Sequence, residues 1–149
     1  MTMTNRETVR DQITASLTTE LVTTKGVVAT GNVYSSRIFD PAGQSPVIGI
    51  ASMGSQRPVM TARGRRSVFR FAVEVWVVAK GTSWTAANAE DKLDQLEQYI
   101  ADWVVTNRTA ANYWDALDFD DEGTVISDTT IGGMPYLLEV IPLVAYAQG

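Results

Sequence analysis

Hydrophobic rhythm names most of the elements along this chain. Near the start, Val9, Ile13, Leu17 and Leu21 recur at every fourth residue and mark a narrow apolar stripe on a helix. Thr4 and Glu7 stand at capping-box spacing, and Lys25-Gly26 supplies a stop, so the predicted helix runs over 4–24. Its other faces are rich in threonine, which adds little helix propensity, so this helix depends on packing against something else. Further on, Phe69, Phe71, Val73, Val75 and Val77 alternate with Val68, Arg70, Ala72, Glu74 and Trp76. A period of two predicts a strand over 68–78. Burying the five odd side chains contributes on the order of 8–15 kcal/mol gross, most of which chain entropy offsets.

A second helix is predicted over 84–106. Ala86, Ala89, Leu93, Leu96, Ile100 and Trp103 or Val104 follow three-four spacing, with Glu90, Asp91, Asp94, Glu97 and Asp102 largely off that stripe. Helix-on-sheet packing is expected rather than a coiled coil. Residues 27–38 read as an extended segment bent at Gly31. The run "FDPAGQSP" is a turn, and a strand begins at Val47, just after Pro46, where a proline removes no ladder bond. Residues 107–124 read as a connection anchored by Trp114, Leu117 and Phe119. The tail reads as two strands around "IGGMP", and Pro142 inside the last one implies a sheet edge or a bulge. The order is helix, strand, strand, strand, helix, strand, strand. It predicts an α+β fold: a mainly antiparallel β-sheet with two α-helices packed on one face. At 149 residues this fits one domain over 1–149.

Composition narrows the chemistry. The chain has no cysteine and no histidine, so disulfides, thiol catalysis and the commonest general base and metal ligand drop out. No apolar run approaches the ~18 residues of a membrane span. "MTMTNRETVR" carries no apolar signal-peptide region, and cytosolic synthesis is expected.

Charge is unevenly placed. The formal net charge is −5, yet five of the twelve basic residues lie between Arg57 and Arg70. From Glu90 to Asp128, eleven acidic residues face only Lys92 and Arg108. Residues 54–66 form an extended Arg-rich loop, long for a compact domain. It reads as a protein contact, a plain connection or a nucleic-acid contact. The last is the least favoured, because no aromatic precedes Phe69 for base stacking. The even face of the 68–78 strand is too apolar for a plain solvent face. Arg57, Arg63, Arg65, Arg66, Arg70, Glu74 and Trp76 are therefore the candidate protein-interface residues.

Catalytic motifs are weak. "DFDDEG" places Asp118, Asp120 and Gly123 at positions one, three and six of a calcium loop, but Glu122 and Thr129 stand at five and twelve. It reads as a solvated acidic turn. A small carboxylate metal-dependent enzyme around Asp118, Asp120 and Asp121 is the lesser alternative. No phosphate loop, nucleophile elbow or dinucleotide fingerprint is present. No catalytic, cofactor or metal residue is assigned, and an enzyme is not expected.

The order of a long first helix, "NVYSSRIFDP…SPVIGIASM", a charged loop, "FRFAVEVWVVA", "AEDKLDQLEQYIADWV" and a closing "LLEVIPLVAY" resembles the tail terminator proteins of long-tailed bacteriophages, also called tail-to-head joining or minor tail proteins. The likeness runs over nearly the whole chain and rests on element order and weak patterns. Pro142 and the threonine-rich first helix depart from it and leave room for a neighbouring neck or head-completion protein between portal and tail. The resemblance implies a structural virion protein without a cofactor, assembled in the host cytoplasm. Six copies would form a ring at the head-proximal end of the tail tube. The implied partners are ring neighbours, the tube protein and the neck or head-completion protein. Genomic DNA would pass through the lumen without specific binding, and no membrane is involved. A cyclic ring needs unlike patches that fit each other, and the Arg-rich loop and the acidic helix or turn are candidates for such a pair.

Overall fold

The computed structural model describes residues 5–57, 66–79, 86–110 and 113–148. In chain order the elements are α1 (Arg6–Thr18), a π-helical turn (Thr19–Thr24), β1 (Val33–Tyr34), β2 (Val47–Gln56), β3 (Arg66–Val78), α2 (Ala86–Thr106), β4 (Ala116–Phe119), β5 (Val125–Ile131) and β6 (Met134–Gln148). They build an α+β fold in which both helices cover one face of a six-stranded, mostly antiparallel sheet. The strand order is β1-β2-β3-β6-β4, with β5 also paired to β6.

The odd residues of β3 make the centre of the core. Phe69, Phe71, Val73, Val75 and Val77 are buried against Val9, Ile13, Leu17 and Leu21 of the first helix and Ala89, Leu93, Leu96, Ile100 and Val104 of the second. Stripe spacing explains the π turn. Residues four apart on a 3.6-residue turn rotate by about 40° per step, and a wider turn takes back part of that rotation. The Lys25 N–H bonds the Glu20 carbonyl, five residues back, and Leu21 stays fully buried. The threonines satisfy themselves locally: Thr14 and Thr18 donate to the carbonyls of Arg10 and Thr14. The helix N-cap is Asn5, whose Oδ1 accepts from the Glu7 N–H at 2.7 Å. Thr4 lies outside the described residues.

Three expectations are corrected. Residues 27–38 are not one extended strand: only Val33 and Tyr34 pair, in parallel, with Ile48 and Gly49. The 107–124 connection contains β4, with Trp114 and Leu117 buried as its anchors. Pro142 lies on neither an edge strand nor a bulge. β6 is paired on both flanks, to β3 on one side and to β5 and then β4 on the other. The Pro142 carbonyl accepts from the Asp120 N–H at 3.0 Å. A residue's N–H and C=O point to the same side of a strand, so the missing proline donor faces the gap between β5 and β4, where no ladder bond is lost.

The β5–β6 hairpin fixes where free backbone groups point. Ile131 and Met134 close a two-residue turn through Gly132 and Gly133, at φ 58° and 80°. Two positive φ angles in sequence define the mirror-image turn that matches strand twist. The closing pair exchanges both hydrogen bonds, and alternate pairs along the ladder do the same. Ile126, Asp128 and Thr130 therefore turn their N–H and C=O groups away from β6. Pro135, opposite Thr130, agrees with this parity, because its carbonyl accepts from Ala79 of the β3 side at 2.9 Å.

Candidate interaction surfaces

The uncovered face of the sheet is covered at one end by the chain itself. Trp76, Val78, Tyr136 and Val47 form a second buried cluster, with Ile38, Ile131, Met134 and Leu138 packed around it. Trp76 is 4% exposed and meets Tyr136 edge to face, with ring centroids 5.7 Å apart. The segment 36–46 closes over this cluster through polar tethers. Glu74 Oε1 accepts from the Ile38 N–H at 3.1 Å. Tyr136 Oη accepts from the Gly43 N–H at 2.8 Å, and Ser45 Oγ accepts from the Val78 N–H at 2.9 Å. Gly49, paired with Glu74 across the ladder, makes the approach feasible. A Cβ there would lie 2.8 Å from the Ser36 carbonyl oxygen and 2.6 Å from Ile38 Cγ1.

The candidate interface residues are accordingly spread apart. Arg57 donates to Ser67 Oγ at 2.9 Å and lies over the Phe69 ring, 5.1 Å from its centroid, on the odd side of β3. Arg70, on the even side, has Nε 3.8 Å from Asp120 Oδ2 in a half-buried pair. Glu74 and Trp76 belong to the tethered cover, so the two do not form an open patch with Arg70. Arg70 instead meets Asp120, and Glu74 meets the Ile38 N–H. Arg63 and Arg65 lie outside the described residues, and of Arg66 only the backbone, paired with Gln148, is described.

A basic row that sequence order hides runs along the outer side of β2. Arg37 bonds Met53 Sδ at 3.4 Å, Arg10 donates to Ser52 Oγ at 2.8 Å, and Arg6 donates to Ser55 Oγ at 2.9 Å. Their four acceptors, Ser35, Ser52, Met53 and Ser55, are neutral, and among the described residues no ion pair is formed with these guanidiniums. Asp11 is the near counter-charge, because its carboxylate accepts from the Ser35 hydroxyl that Arg10 Nε also bonds. Glu7 lies on the same first turns of α1. The only advance signal is the four-residue spacing of Arg6 and Arg10 on one helix side. Arg37 comes from a separate segment, and no local pattern links it to them.

The opposite margin of the sheet is acidic. Glu139 of β6 is 3% exposed on the helix-covered side. Burial pushes its carboxyl above the ordinary range, a hydrogen bond from Thr124 opposes this, and the charges of Glu97 and Asp94 push it further up. Asp128 stands on β5 opposite Leu137, on the same face as Glu139, and Asp118 and Asp120 follow on and after β4. The acidic turn is knit by its own backbone: Asp118 and Asp120 accept from the N–H groups of Phe119 and Asp121. Among the described residues, no group of three or more acidic side chains is arranged to hold a metal ion. No described helix is long and apolar enough to cross a membrane. No protein-family model matches the chain, and no curated protein matches it.

Proposed function

We propose that this chain is a structural subunit of a long-tailed phage virion, a tail terminator that forms a ring at the head-proximal end of the tail tube. In that place it halts tube polymerisation and joins tail to head, binding its ring neighbours, the tube protein and the neck or head-completion protein. Its work is binding rather than catalysis, and DNA passes through the lumen without specific contact. The observation that carries this proposal is architectural. Two helices cover one face of a mainly antiparallel sheet, and apart from the short β4 the elements follow the order on which the resemblance rests. One lateral margin of that sheet carries the Arg6, Arg10 and Arg37 guanidiniums and the other carries Asp118, Asp120 and Asp128, which suits the unlike patches of a cyclic assembly.

The test is the tail phenotype of phage in which the gene is disrupted. Negative-stain images of the lysates are expected to show overlong or unjoined tails. Normal-length, capped, head-joined tails would overturn the proposal. Normal tails beside unstable full heads would overturn it in favour of a neck or head-completion role.

A further inference from the structure

β5 is an unguarded sheet edge. Among the described residues it pairs only with β6, and Ile126, Asp128 and Thr130 turn their N–H and C=O groups outward. Its sequence, "VISDTTI", is rich in β-branched residues and contains no lysine and no proline. Its ladder with β6 runs without a bulge. These are the devices that usually blunt an exposed edge; the one charge is Asp128. Val125 and Ile126 are 63% and 53% exposed on opposite faces of the strand, an apolar exposure that points to a covered site.

From charge and hydrogen-bonding capacity together, we infer that the β5 edge of one copy docks onto the Arg6–Arg10–Arg37 row beside β2 of a second copy. The occupant follows from complementarity. Two β5 edges facing each other would bring Asp128, with Asp94 and Glu97 of the neighbouring helix, against their own kind, and two arginine rows would repel likewise. Only the unlike pairing satisfies both. Each guanidinium carries five N–H donors and no acceptor, whereas the outward carbonyls of Ile126, Asp128 and Thr130 and the Asp128 carboxylate are acceptors. The bulge at Met53, between Ser52 and Gly54, interrupts the regular edge of β2. Contact there runs chiefly through the arginine side chains rather than through a long continuous ladder. Because donor row and acceptor edge lie on opposite margins of one sheet, the contact is heterologous and repeats from copy to copy. As the subunit contact of a ring, it rests on the function proposed above.

The test is sedimentation of the purified full chain at rising concentration, with charge-swap variants. Wild type is expected to self-associate, less so in high salt. Asp128→Arg alone and the Arg6→Glu/Arg37→Glu variant alone are each expected to associate at least about tenfold more weakly, a loss of about 1.4 kcal/mol. All these side chains have neutral or exposed surroundings, and mixing the two variants is expected to restore association through the exchanged charges. A wild-type chain that stays monomeric, single variants that associate like wild type, or a mixture that stays monomeric would each overturn the contact. The terminator role stands or falls separately, on the lysates.

Discussion

Glu74 is the most informative single residue to change, because the structure gives it a task inside the subunit. Its Oε1 accepts the Ile38 N–H at 3.1 Å and ties the segment 36–46 over Trp76. A hydrogen bond to a charged acceptor contributes about 1.5–3 kcal/mol. Glu74 is half-buried, so solvent competes and the lower end, about 1.5 kcal/mol, applies to Glu74→Ala. Glu74→Gln keeps an acceptor and loses only the charge, so a cost of about 0.5–1 kcal/mol is expected. The other tethers, at Gly43 and Ser45, do not pass through Glu74. The loss should therefore be local. Hydrogen exchange resolved to the 36–40 backbone is expected to quicken about tenfold in the alanine variant, the factor equivalent to 1.4 kcal/mol, while the amides of α2 and β3 lose less protection. Unchanged exchange at Ile38 would refute the tether. Equal loss of protection throughout the chain would also refute it, since the effect would then be global. Impaired self-association with normal exchange at Ile38 would return Glu74 to the interface.

Two further perturbations test the same physics. Glu139→Gln should stabilise the subunit at neutral pH. The folded-state pKa of Glu139 lies above its unfolded value, so its contribution is full below the ordinary glutamate range and is lost as pH rises through the raised folded value. Urea midpoints of wild type should fall relative to the variant over that window and converge at lower pH; parallel curves would refute the desolvation of Glu139. Gly49→Ala places a methyl against the Ser36 carbonyl, and overpacking of this kind costs about 1–3 kcal/mol. It should lower the urea midpoint and loosen 36–38; a wild-type midpoint with protected Ile38 would count against the close approach.

The parts of the fold that were legible in the sequence are those with long periodic patterns. The α2 stripe from Ala89 to Val104 and the odd face of β3 are buried as their spacing predicts. Gly132-Gly133 marked its hairpin because a turn with two positive φ angles favours glycine. β4, four residues long, offers too few alternations to show a period. Val33 and Tyr34 form a strand only because β2 lies alongside. For Trp76, periodicity gave the correct face but not what covers it. The cover depends on Gly49 leaving room and Glu74 offering an acceptor, which only the cross-strand register brings together. The arginines near 57–70 looked like one cluster because they are close in sequence, yet a strand sends neighbours to opposite faces, and Arg57 and Arg70 diverge. The row of Arg6, Arg10 and Arg37 was invisible for the converse reason: α1 and a distant loop meet only after folding.

The proline within β6 divides the work on that flank of the sheet. Because Pro142 sits where β5 has ended and β4 has not begun, the acidic turn at 120–124 lies between the two ladders, held by the Asp120 N–H on the Pro142 carbonyl and by the Gly123 N–H on the Asp120 carbonyl. The turn is a splice point. A short tag or a fluorophore inserted after Asp121 would lengthen the joint without changing the register of either ladder. That would give a reporter on the outer margin of the subunit while the sheet behind it stays as built.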